Sequence, residues 1–312
     1  MATAKIADLF NVVAPEQAVV ETRQPGPCTP SADPHYQFNL VVLKKVMMWL
    51  SENAPVKNLF ILGDAGTGKT SLILEVAARL GIETWSMSCS GKTRFNDLVG
   101  TLTIDESGAT RFVDGPLAAA ARSGGVFLAN EITRMEAGEQ MRLVDVLDGR
   151  ARLTIPETGE VVIPHPNFRV AVTGNSGGFG DDTGAYAGER RGSLAFFDRF
   201  IKLALPPLEE VDEVGLVMRY APSLREDIVL GMVRLARDIR KAFVSNGGGL
   251  QVTLSTRSLI AWARLTEEYA HFSGVDPIRE ALHDTLLNGA PSDDRSTVLE
   301  LFDNWLNGGG RS

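Results

Sequence analysis

Residues Gly63, Asp64, Ala65, Gly66, Thr67, Gly68, Lys69, Thr70 and Ser71 run consecutively and satisfy the spacing G-x-x-x-x-G-K-[S/T]. That spacing suits one chemistry, the grip on a polyphosphate. Glycines allow backbone N–H groups to converge on phosphate oxygens, and a helix starting behind them turns its positive end inward. Lys69 reaches the β- and γ-phosphates, and Thr70 offers a hydroxyl to Mg²⁺. Further along, "VFLANEITR" ends an apolar run in Asn130 and Glu131. A phosphate-cleaving strand end ordinarily carries two adjacent acids, the first holding the cation through water and the second activating the attacking water. Here Asn130 accepts a hydrogen bond from metal-bound water but adds no charge. Glu131 keeps a carboxylate able to orient or deprotonate water. The expectation is hydrolysis with weakened Mg²⁺ affinity. The plain alternative for Glu131 is a solvated acid at a helix start.

These residues need a strand in front of the glycine turn and a helix behind it. Leu59–Leu62 supplies the apolar strand, and Leu72, Ile73, Val76, Ala77 and Leu80 recur on one helical face that stops at Gly81. Short apolar runs at "ETWSMS", "VFLA" and "FRVAVTG", separated by helical pattern, predict strands buried on both faces of a parallel sheet. The first 36 residues, with the proline-rich "RQPGPCTPSADP", read as an irregular arm, and a helix is predicted over Gln37–Asn53. Residues 37–206 form the α/β domain on this reading. Two hairpins interrupt it, at about 101–117 around Glu106, Ser107 and Gly108, and at 151–164 around Thr158 and Gly159. Past "LPPLEE" only amphipathic helical pattern remains, so residues 207–312 read as an all-α second domain.

Composition excludes several classes. A net charge of −8 argues against a nucleic-acid partner held by a broadly basic surface. No apolar run approaches the roughly 20 residues that a membrane-spanning helix needs, and the opening stretch lacks a secretory signal pattern. A cytoplasmic protein with two free thiols, Cys28 and Cys89, is expected. His35, His165, His271 and His283 are scattered, which predicts no metal centre built on histidine.

The stretches "GDAGTGKT", "VFLANEITR", "VTGNS", "AFFDRF" and "LSTRSLIAWA" resemble, in order and spacing, the AAA+ ATPases of the MoxR branch. The longer "IPHPNFRVAVTGNSGGFGDDTGAYAGERRGSLAFFDRF" is similar to the ATPase subunits of aerobic cobaltochelatases. The resemblance extends to "ADPHYQF" and so covers nearly the whole chain. It implies a P-loop AAA+ three-layer α/β/α domain with a parallel sheet, followed by a smaller helical lid, with ATP and Mg²⁺ as cofactors. It implies that Asn175 senses the γ-phosphate, against the alternative of an ordinary turn asparagine before Ser-Gly-Gly. Arg199 matches the finger that reaches a neighbouring subunit's nucleotide, the alternative being an ion pair with Asp198 or a lid acid. Arg190 and Arg191 are runners-up for that finger. Arg257 matches the second sensor, and Arg134 the arginine of the family's "EIxR" element with a subunit-contact role.

The same resemblance implies a homo-oligomeric ring, six-membered, that acts on a partner protein with a von Willebrand A type domain. The two hairpins project toward the pore face in that family; the alternative for each is solvated decoration. For the cobaltochelatase system the work would be insertion of Co²⁺ into a corrin, with the chelation site on another subunit. A MoxR-type remodeller of a different target, a nucleotide-gated scaffold with weak hydrolysis, and a DNA translocase are the alternatives. The last would want a basic pore loop, toward which "TRFND", "GERRG" and "RFVDG" offer little.

Overall fold

The computed structural model describes residues 2–148, 152–180, 188–244 and 249–307. The chain divides into two compact units, an α/β unit up to Leu205 and a helical unit from Pro206 on, with the turn Asp64–Thr67 grouped with the latter.

The opening residues are not an irregular arm. Strands β1 (Ala2–Lys5) and β2 (Val19–Thr22) pair antiparallel around the short helix α1 (Ile6–Phe10). Phe10 is buried with Val42, Leu43, Val46, Leu72 and Val76, so a side chain at the end of a single helical turn anchors the hairpin to the core. The next helix, α2 (Leu40–Leu50), is shorter than the predicted Gln37–Asn53. Asn39 accepts hydrogen bonds from Val41 N and Val42 N and so caps its start. Its end is capped from afar by Arg169, which donates to Trp49 O, Leu50 O and Ser51 O at 3.0, 3.1 and 2.6 Å. That guanidinium is 1% exposed, and burial followed by the charge of Arg23 lowers its pKa.

The central sheet takes β3 (Asn58–Leu62), β4 (Thr84–Ser88), β7 (Val126–Asn130), β10 (Arg169–Gly174) and β11 (Ile201–Ala204) in the order β11-β3-β10-β7-β4, all parallel. The intervening strands lie outside it: β5 (Gly100–Ile104) pairs with β6 (Thr110–Asp114), and β8 (Leu153–Thr154) with β9 (Val161–Val162). Successive residues of the central strands point to opposite faces. Leu59, Ile61, Val126, Leu128 and Ala171 pack with α2 and with α3 (Lys69–Leu80), whereas Phe60, Phe127, Ala129, Val170 and Val172 pack with α4 (Phe95–Val99) and α5 (Pro116–Ser123). Both faces are therefore dry, which accounts for the unbroken apolar runs. The fifth strand, β11, escaped the sequence reading because Lys202 breaks its apolar run at a sheet edge.

Short helices α6 (Ala137–Met141), α7 (Val144–Leu147) and α8 (Leu194–Phe197) complete the first unit. The second contains α9 (Glu210–Tyr220), α10 (Glu226–Val244), α11 (Thr256–Tyr269), α12 (Pro277–Thr285) and α13 (Ser292–Asn307), packed on Trp262, Leu259, Met232, Val233, Ala236 and Phe302. Glu213 of α9 is fully buried, bidentate to Arg240 of α10 at 2.8 and 3.0 Å, and accepts from Thr256 Oγ1 at 2.8 Å. This pair fixes the start of α11.

Candidate nucleotide site

Strand β3 runs out of the core into Gly63, and the chain turns through Gly66 and Gly68 at φ 82° and 86° before α3 begins at Lys69. Those angles suit glycine alone without strain. Within the turn Thr67 donates from N and Oγ1 to Asp64 O, at 3.3 and 2.9 Å; Asp64 and Ala65 are exposed. Lys69 is buried, yet its ammonium is held over the turn by Gly63 O at 2.6 Å and Asn175 Oδ1 at 2.8 Å. The ammonium thus links the start of the glycine turn to the end of β10. Ser71 is exposed one residue behind Thr70.

The parallel strands β7 and β10 bring a second set of groups to the same sheet edge. Thr70 Oγ1 donates to Asn130 Oδ1 at 2.5 Å, and Thr173 Oγ1 lies 3.5 Å from the same oxygen. Thr173 Oγ1 also accepts from Glu131 N at 3.1 Å. Glu131 takes a left-handed backbone, φ 56°, a conformation costing on the order of 1 kcal/mol for a residue with a side chain. The reversal turns its carboxylate back across a 3-10 turn at Ile132–Arg134, where Arg134 Nε stands 2.7 Å from Oε2 as an ion pair without hydrogen-bond alignment. Behind it, Cys89 has its thiol pushed up to about 12, first by burial and then by the Glu131 charge.

Thr70 and Asn130 test the fit of Mg²⁺. A hydroxyl and an amide oxygen converge within one hydrogen-bond length, which is hard-oxygen chemistry suited to that cation. The set fits, with no carboxylate to add charge. Among the described residues no three of His, Cys, Asp and Glu group as a further metal site.

Glu189 ties the loops behind the site together, accepting from Thr133 Oγ1 at 2.9 Å and Ser176 Oγ at 2.6 Å. Arg190 is held by its own chain: its N–H donates to Thr133 O, and its guanidinium pairs with Glu136 at 3.3 Å. Arg191 bridges Phe179 through the backbone. Arg199 sits elsewhere. It lies at the opposite end of the sheet, beside Asn58 at the start of β3, with Nε 2.6 Å from Asp148 and a second nitrogen on Ala195 O. The ion-pair partner is therefore Asp148, not Asp198. Arg257 belongs to the helical unit as the exposed second residue of α11.

Residues 58–200 match the model of the AAA domain of the dynein-related subfamily, and residues 213–304 that of the CbbQ/NirQ/NorQ C-terminal domain. The chain is 31% identical to the aerobic cobaltochelatase subunit CobS of Sinorhizobium sp over 281 residues, 88% of this chain and 81% of that one. It is also 30% identical to protein NorQ of Paracoccus denitrificans, over 69% of this chain and 76% of NorQ. The chain belongs to the MoxR-type AAA+ ATPases. Its fold is shared with the Thermotoga maritima RuvB Holliday junction branch migration motor, at a TM-score of 0.54 and 15% identity over 88% of this chain and 80% of that one.

In this AAA+ ATPase the structure gathers Gly63, Gly68, Lys69, Thr70, Asn130, Glu131 and Asn175 at one sheet end, and leaves Arg199 at the other. One residue of the cluster, Thr173, and one contact, that of Arg134 with Glu131, are not legible in the sequence. Thr173 was visible only as a lone hydroxyl late in "VAVTG", and the grip of Arg134 on Glu131 depends on a backbone reversal that no residue type announces.

Proposed function

We propose that the protein is an ATP-driven motor that works as a closed ring, six-membered as the family resemblance implies, and remodels a partner protein. The observation that carries the hydrolytic step is the bridge of Lys69 between Gly63 O and Asn175 Oδ1, beside Thr70, Asn130 and Glu131. Water attacks the γ-phosphorus, its proton passes to the Glu131 carboxylate, and the bond to the β-bridging oxygen breaks to leave ADP and phosphate. Lys69 and a guanidinium stabilise the charge that develops. Mg²⁺, when bound by Thr70 and Asn130, neutralises phosphate oxygens.

The ring is supported by the separation of Arg199 from its own cradle. Five strand residues, roughly 16 Å, lie between them. A finger at that end serves a second copy's nucleotide more readily than its own. Two hairpins with exposed apolar residues suit contact with the client: Ile104 and Ile163 are each 76% exposed, and Leu102, Val113 and Val161 are also exposed. The partner is a von Willebrand A domain protein on this reading, and cobalt insertion is one form the work takes. The uncharged Asn130 favours slow turnover, which keeps a nucleotide-gated scaffold as the second reading. No helix among the described residues is long and apolar enough to cross a membrane, and two free thiols suit a reducing cytoplasm.

Turnover and oligomeric state with saturating ATP test the proposal. Glu131→Gln should lose about 100-fold or more in turnover while binding ATP. Arg199→Ala should assemble and lose turnover; monomeric protein in ATP, or a fully active Arg199→Ala form, refutes the ring.

A further inference from the structure

Asn58 is the first residue of the strand that carries the phosphate turn, and its side chain is 4% exposed. Its amide nitrogen donates two hydrogen bonds, to Leu147 O at 2.8 Å and to Arg199 O at 3.0 Å. One amide therefore clasps two segments far apart in sequence. Leu147 ends α7 and precedes Asp148; Arg199 follows α8 and pairs with Asp148. Asp148 and Arg199 line a cleft of about 640 Å³ on this face, and the Arg199 side chain is 27% exposed.

The backbone beyond Arg199 is tied to the same strand. β11 runs parallel to β3 in the register Ile201↔Leu59 to Ala204↔Leu62, and Leu205 N donates to Leu62 O at 2.7 Å. At its other end β3 passes into Gly63, whose carbonyl takes the Lys69 ammonium. A single strand buried on both faces thus joins the phosphate turn to the segment bearing Arg199. Such an element shifts as a unit, because its neighbours are close-packed.

We propose that Asn58 is a positioning residue: its amide sets the backbone of Arg199, so that the strand carrying a protomer's own cradle also fixes the guanidinium which that protomer presents to its neighbour. This rests on the reading of Arg199 as acting between subunits. Removing the clasp should misplace the guanidinium without touching the residues that hold nucleotide. An ångström of misplacement at a transition-state group costs up to about 100-fold in rate.

The test uses full-length Asn58→Leu and Asn58→Ser, with Arg199→Ala in parallel, in steady-state ATP hydrolysis and in binding of a fluorescent ATP analogue. Both Asn58 variants should bind the analogue within about twofold of wild type, keep KM, and lose about 10- to 100-fold in kcat. Mixing either with Glu131→Gln subunits, whose Arg199 is intact and whose own cleavage is blocked, should raise turnover per Asn58-variant subunit. A general folding defect would not be repaired by a neighbour. Wild-type kcat in Asn58→Ser overturns the proposal, as does a loss in both variants that mixing fails to restore or that lies in nucleotide binding. Full activity of Arg199→Ala overturns the intersubunit reading itself. Arg199→Ala that is slow and rescued by mixing, beside unrescued Asn58 variants, sinks the Asn58 proposal alone.

Discussion

Replacing Asn130 by aspartate exchanges an amide nitrogen for an oxygen and adds one negative charge beside the cation position. The Thr70 hydroxyl, 2.5 Å from Asn130 Oδ1, donates to either side chain, so local geometry should persist. What changes is electrostatic. A divalent cation held by Thr70 would lie about 4 Å from the new carboxylate through an intervening water. Opposite charges of one and two units at that distance attract by about 2 kcal/mol at the dielectric of water, and by several times that in a partly excluded site. Asn130 is half-buried, and phosphate oxygens compete for the same cation, so the lower figure is the sound one. It corresponds to about 30-fold in affinity. Glu131 opposes the gain as a neighbouring carboxylate, and Arg134 at 2.7 Å from it offsets that repulsion in part. The expected outcome for Asn130→Asp is a Mg²⁺ half-saturation for ATP hydrolysis lowered about 5- to 30-fold, with a smaller rise in kcat at saturating Mg²⁺. Phosphate release against free Mg²⁺ at fixed ATP measures both, and Asn130→Leu should move them the other way. If Asn130→Asp leaves half-saturation and kcat within twofold of wild type, the oxygen at position 130 does not face the cation and the account of slow turnover fails.

Arg169→Met should destabilise the protein by about 3 kcal/mol, because Trp49 O, Leu50 O and Ser51 O lose their buried donor; urea unfolding of the α/β unit's transition reads this, and a change under 1 kcal/mol would refute it. Cys89, with its thiol pushed up to about 12, should resist alkylation at pH 8 in the folded protein while exposed Cys28 reacts. The folded state holds this thiol protonated more tightly than the unfolded chain, whose ordinary value is 9.0, so its contribution is complete below pH 9 and is lost as pH rises toward 12. Rapid labelling of Cys89 in native protein would contradict that. Asp148→Asn should free Arg199 from an ion pair whose acid is 50% exposed; pairs of this kind are worth up to about 1 kcal/mol, so, if Arg199 acts between subunits as proposed, kcat should rise up to about fivefold, and a fall would make Asp148 an aid to Arg199 instead of a restraint.

How far the sequence could be read depended on how far apart the cooperating residues lie along the chain. The phosphate turn was legible because Gly63 and Thr70 are joined by six residues whose geometry only a few types can adopt. The central strands were legible because burial on both faces leaves runs such as "NLFIL" and "VFLAN" without alternation. The hairpin at Ala2–Thr22 was not, since four-residue strands with half-exposed side chains carry weak periodicity, and the prolines after it dominate the composition. Helix α9 is hard to read for the same reason, its apolar stripe of Val214 and Val217 diluted by four acids, Glu209, Glu210, Asp212 and the buried Glu213 that α10 neutralises through Arg240.

The candidate site divides along the same line. Lys69, Thr70 and Glu131 belong to contiguous patterns whose chemistry is stated by residue type. Asn58 and Arg199 are 141 residues apart, and an asparagine opening an apolar strand looks in sequence like a boundary residue. Its partners are backbone carbonyls, which every residue possesses and which therefore leave no compositional trace. The same holds for Arg169, whose guanidinium donates to carbonyl oxygens, three of them at the end of α2 and two in its own approach at Pro166 and Phe168. Side chains that serve a distant backbone are thus the group most easily missed in a single sequence. In this chain they stand at the starts of β3 and β10, the two strands whose far ends lead to Gly63 and Asn175.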